Sequence, residues 1–111
     1  MGVDLTLLPL DYENDNGGSA FSRLMLERRR ELWDDIAKLP VNPIAKVTGY
    51  MGDNFGDETE DCYGEPLKYV FAKDLAELRD HEAVQDNDLN RAIWAFLAAI
   101  RPETKIVLYW H

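Results

Sequence analysis

Apolar and polar residues alternate for most of Val3-Asp4-Leu5-Thr6-Leu7-Leu8, a period of two that predicts a half-buried strand. Pro9 has no N–H to give to a ladder and so marks the end or edge of that strand. The period then lengthens. Phe21, Met25, Leu32, Ile36 and Leu39 recur at helical spacing, with Leu24 beside them, and predict a helix over Ala20–Leu39. Arg28 falls inside this stripe, where its long stem can lie over apolar surface while the guanidinium reaches water. Leu26, Trp33 and Ala37 form a second, narrower apolar edge, and Asp34 with Lys38 makes an i, i+4 pair.

Pro40 and Pro43 impose extended backbone before them and close that helix. Ile44–Tyr50 reads as a short strand, and Leu67–Phe71 as a strand or the run-in to a helix. Lys73–His81 is a short helix packed through Leu75 and Leu78, and Glu82–Asp86 a polar link. Asn87 or Asp88 caps a last helix whose stripe is Leu89, Ala92, Ile93, Phe96, Leu97 and Ile100. Pro102 stops it, and Lys105–Trp110 reads as a strand that is apolar on both faces and therefore central or covered on both sides. Between these elements lie two acidic glycine-containing loops, Asp11–Gly18 and Met51–Glu65. The order predicts one α+β domain over residues 1–111, a small two-layer unit whose sheet pairs the N- and C-terminal strands under about three helices.

Composition narrows the class without naming an activity. The 111 residues are 46% hydrophobic and 30% charged, as in an ordinary globular domain. No apolar run approaches the ~18 residues that would span a bilayer. A basic region followed by an apolar block is missing from the start, so no signal peptide is expected. Met1-Gly2-Val3-Asp4-Leu5-Thr6 fits the short myristoylation consensus, but a lone acyl chain beside acidic residues binds membranes weakly and a first strand accounts for the segment better. The net charge is −9, of which residues 1–18 carry −4 and 41–65 carry −5, while 87–111 carry +1. A basic face for nucleic acid is missing, so direct nucleic-acid binding is not expected. A basic protein partner suits this charge.

Candidate chemistry concentrates in the second loop. Asp53, Asp57, Glu58, Glu60 and Asp61 are hard oxygen ligands of the kind Ca²⁺ or Mg²⁺ takes, but the spacing fails the helix-loop-helix calcium pattern, which would need glycine where Glu58 stands. No metal and no cofactor are assigned. Cys62 could act as a nucleophile only with a base such as His81 or His111 close by, and no catalytic signature surrounds it. Cys62–Pro66 reads more simply as a turn that anchors the loop. Walker, Gly-x-Gly-x-x-Gly and Gly-x-Ser-x-Gly motifs are all missing, and no catalytic residue is assigned. Trp94 lies off the main stripe of the last helix and fits either a second internal contact or an interface anchor, including that of a homodimer.

Four segments, Met1–Leu8, Leu26–Trp33, Tyr63–Leu67 and Val107–His111, together resemble a group of small uncharacterised bacteriophage and prophage proteins. The resemblance implies a phage-encoded protein in a bacterial cytoplasm and brings no activity or functional residues with it. The expected function is an acidic accessory protein that binds a host or phage protein through Asp53, Asp57, Glu58, Glu60, Asp61, Tyr63 and Trp94. Two rivals stand beside it: a divalent-cation-dependent hydrolase or nuclease built on the 53–61 carboxylates, and a nucleic-acid mimic that inhibits a host defence complex.

Overall fold

A computed structural model describes residues 3–14, 17–51 and 54–111. In chain order the elements are strands β1 (Leu5–Asn14), β2 (Gly17–Ala20) and β3 (Leu24–Met25), helix α1 (Arg30–Ala37), strands β4 (Asn42–Pro43), β5 (Lys46–Met51), β6 (Asn54–Glu58) and β7 (Lys68–Phe71), helices α2 (Ala72–Ala76), α3 (Glu82–Gln85) and α4 (Asp88–Ala99), and strand β8 (Lys105–Trp110). The strands form one curled, mixed sheet in the order β4-β7-β8-β1-β2-β5-β6, with β3 also on β1. The class is α+β.

The expected terminal pairing is the centre of this sheet. β1 and β8 run antiparallel from Leu5 opposite Trp110 to Pro9 opposite Ile106. β8 lies between β1 and β7, as its two apolar faces require. Leu5, Leu7, Ile106 and Leu108 enter a core shared with Leu32, Trp33 and Ile36 of α1, Leu75 of α2, Ala83 and Val84 of α3, and Ile93, Trp94 and Leu97 of α4. Leu8, Leu10 and Val107 turn to the other face and meet Val47 and Leu67 in a second, smaller core that has no helix in it. One-residue alternation along β1 and β8 thus feeds two cores.

Pro9 does not end β1. Its carbonyl accepts from the Phe21 N–H at 3.0 Å, so its nitrogen faces the same edge, where the ladder is interrupted between β2 and β3. No ladder bond is lost there. The first acidic loop is instead a hairpin: Tyr12, Glu13 and Asn14 pair with Ser19, Gly18 and Gly17, after a register shift between Leu10 and Tyr12.

The expected helix over Ala20–Leu39 is helical only from Arg30 to Ala37. Residues 21–26 are extended along the edge of β1, with Leu24 opposite Leu7, Met25 opposite Thr6, and Leu26 donating to the Leu5 carbonyl. Side chains there alternate, Leu24 and Leu26 inward and Phe21 and Met25 outward. Of the expected helical stripe, Phe21 and Met25 are therefore exposed, while Leu32 and Ile36, which do lie on α1, are buried. Arg28 precedes the helix and pairs with Asp4. Lys38 reaches Asp35 at 3.6 Å, not Asp34. The polar link at Glu82–Asp86 contains α3, a fourth helix, capped by His81, whose Nδ1 accepts from the Ala83 N–H at 3.0 Å.

Candidate functional site

The stretch expected to be one acidic loop splits into a strand and a turn. Asn54–Glu58 is β6, antiparallel to β5, with Asp57 opposite Thr48 and Glu58 opposite Val47. Asp53 lies outside the described residues. The chain then reverses between Glu60 and Pro66, which form an isolated bridge. Asp61 organises this reversal. Its Oδ1 accepts from the Tyr63 N–H at 2.8 Å and the Glu65 N–H at 3.1 Å, its carbonyl from Gly64, and its own N–H goes to the Glu65 carbonyl. Aspartate does this because its short carboxylate reaches backbone donors two residues on. Gly64 sits at φ 80°, the left-handed backbone that glycine takes at least cost.

Two anchors hold the turn to the end of β8. The Cys62 N–H donates to the Trp110 carbonyl at 3.1 Å, and the Tyr63 hydroxyl donates to the His111 carbonyl at 3.0 Å. Tyr63 remains 54% exposed. On the opposite face of β8, burial pushes the Tyr109 phenol above its usual range, and the neighbouring Cys62, Glu58 and Asp61 add to the shift. Glu58 and Asp61 thus approach a common neighbourhood, while Glu60 and Glu65 are exposed on the turn.

A cleft of about 350 Å³ opens between this turn, the end of α1 and the sheet. Leu108 and Trp110 from β8, Ala37 and Val41 supply its apolar walls, and Asp61, Glu65 and Lys68 its charges, with Pro66 between them. Trp110 is held edge-on by Trp33, at 6.2 Å between centroids and 80° between planes. Trp33 is itself pinned by its Nε1–H donating to the Val3 carbonyl at 2.6 Å. Of the residues expected to form a site, Asp61 lines this cleft. Trp110, Lys68 and Val41 were legible only as strand and linker residues, since no spacing rule joins positions 37, 61 and 110.

Trp94 is corrected. It is 4% exposed, and its Nε1–H donates to the Leu75 carbonyl at 2.7 Å, so it is an internal contact and not a surface anchor. The whole stripe of α4 is rotated from the expected one. Asn90, Ile93, Trp94 and Leu97 face inward and Leu89 is exposed. A buried asparagine explains the rotation: the Asn90 amide accepts from the Glu27 N–H at 2.7 Å and donates to the Glu27 and Ala83 carbonyls, each at 3.2 Å.

Neither histidine serves Cys62. His81 bonds Asp35 through Nε2 at 2.8 Å, and His111 Nε2 bonds the Thr6 hydroxyl at 2.8 Å. Among the described residues no group of three or more His, Cys, Asp or Glu side chains could hold a metal ion. No described helix is long and apolar enough to cross a membrane. No protein family, curated protein or solved structure matches the chain.

Proposed function

We propose that the chain is a non-enzymatic accessory protein of the bacterial cytoplasm, of the phage or prophage kind that its four segments resemble. It acts by binding a basic segment of another protein at the 61–68 cleft. The observation that carries this reading is the cleft itself: an aromatic and aliphatic floor of Trp110, Leu108 and Val41 under a rim where the carboxylates of Asp61 and Glu65 outnumber the one cation, Lys68. An apolar centre inside a charged rim is the anatomy of a protein interface. An arginine or lysine side chain laid along Trp110 gains from the ring face and from Glu65 at once. The net charge of −9 raises the encounter rate with such a partner.

The test uses the immobilised chain against bacterial lysate, followed by affinity measurement on whatever it captures. Binding is expected to weaken as salt is raised. Glu65→Lys and Val41→Asp are each expected to weaken it roughly tenfold or more, as loss of an interface anchor does. Both positions are exposed, so the fold stays intact. Failure to capture a partner at low salt, or capture that neither variant disturbs, refutes the reading.

A further inference from the structure

His81 caps α3 with the same ring that ties α3 to α1. Its Nδ1 accepts from the Ala83 N–H at 3.0 Å, and its Nε2–H donates to Asp35 Oδ2 at 2.8 Å. A neutral imidazole has one N–H and one lone pair, so only the Nε2–H tautomer makes both bonds. Both nitrogens become donors in the imidazolium. After a proton arrives from solvent, Nε2–H keeps Asp35 as an ion pair, while Nδ1–H faces the Ala83 N–H donor to donor. The side chain is 14% exposed, so water is poorly placed to take over the lost bond.

The charges around the ring favour that proton. Asp35 meets it from α1, and Glu31 lies one turn earlier, its carboxyl held low by its own backbone N–H, by Arg29 and, more weakly, by His81. Asp80 and Glu82 flank it in sequence. The opposing cations are engaged elsewhere or at one remove: Lys38 reaches the other oxygen of Asp35 at 3.6 Å, and Arg29 sits on Glu31. On α4, Arg91 pairs with Asp88 and donates to the Gln85 carbonyl at the far end of α3.

The cap holds more than one turn. Ala83 and Val84 are fully buried, and the Ala83 carbonyl accepts from the Asn90 amide, which also holds both backbone groups of Glu27. With four residues, α3 is too short to persist on its own hydrogen bonds. Loss of the cap therefore loosens the element on which Asn90 is anchored, while the Asp35 pair keeps the ring seated on α1.

We propose that His81 is a proton-operated latch: neutral, it closes α3 onto the core, and protonated, it stays on Asp35 and releases the first turn of α3. Imidazole nitrogen NMR of the full chain at about pH 8 is expected to show His81 as the Nε2–H tautomer. From there to about pH 5.5, the span in which histidine ordinarily charges, the Ala83 amide should lose roughly fivefold of its exchange protection, the factor an N-cap ordinarily carries. Protection across β1 and β8 should hold steady. His81→Asn keeps a capping oxygen that does not titrate there, and should abolish the pH dependence. Asp35→Asn removes the carboxylate that holds the charged ring, and should move the release to lower pH. His111→Gln should leave the release as it is, which separates the two histidines. An Nδ1–H tautomer in the alkaline spectrum, or Ala83 protection equal at both ends of the range, overturns the proposal. So does a pH dependence that survives in His81→Asn or disappears in His111→Gln, and a release unmoved by Asp35→Asn overturns the part given to Asp35.

Discussion

Asn90 is the residue on which the helical side of the molecule turns. Its amide treats Glu27 as a neighbouring strand would, accepting from its N–H and donating to its carbonyl, and it reaches Ala83 as well. Replacement by alanine leaves buried backbone groups without partners, so Asn90→Ala should cost about 2–4 kcal/mol. Asn87→Ala, which removes only the α4 N-cap, should cost about 1 kcal/mol. Urea melts of the two variants check the order, and equal costs would contradict this role for Asn90. Nothing in the sequence marked position 90, because a polar residue beside a stripe reads as surface until its partners are known. The Asp4–Arg28 pair was equally hidden by the helical reading of residue 28. The Arg28 guanidinium donates to Asp4 and holds its carboxyl below the usual 3.8. A depressed carboxyl stabilises the fold above its unfolded value and loses that contribution as pH falls through its folded value. The stability difference between the wild type and Arg28→Ala should therefore be present at pH 6 and shrink below pH 3.8. Paired denaturation curves at the two ends of that window check it, and a difference that grows in acid would show the sign to be wrong.

At the scale of elements, legibility followed packing. β8 and the α4 cap could be read because local pattern and tertiary environment agree there. The first half of the expected helix could not, because Phe21, Met25 and Leu32 stand at helical spacing while Ser22, Leu24 and Leu26 stand at strand spacing. The open edge of β1 decided between them. β2 and β5 meet in the sheet's parallel seam, Gly17 opposite Lys46. A Cβ added at Gly17 would lie 2.0 Å from the Lys46 carbonyl oxygen, a backbone atom that cannot rotate away. At Gly64 the space is open and only the φ of 80° resists a side chain. Gly64→Ala should thus cost about 1 kcal/mol, the ordinary left-handed penalty. Gly17→Ala should cost more than that and loosen β5 and β6, which amide exchange over residues 46–58 would register. Equal costs would show that the seam opens without strain.

For the whole molecule, class and central pairing were readable from the two apolar ends of the chain, and the site was not. The cleft joins the end of α1, the turn after β6 and the last strand, three places that a periodicity argument treats separately. Of the acidic stretch, Asp61 lines the cleft, but that carboxylate serves its own turn first. The apolar floor of the cleft, Leu108 and Trp110, had been read only as part of a core strand.

The position of β8 between β1 and β7 governs how the chain comes to be folded at all. Any chain stopped short of Lys105 holds two unjoined sheet fragments, β4-β7 and β3-β1-β2-β5-β6, each with an unsatisfied edge beside buried leucines. Such edges invite pairing with other chains. A chain without β8 therefore lacks the strand that joins its two sheet fragments. Truncation or premature termination before β8 should yield aggregate and not a smaller working protein.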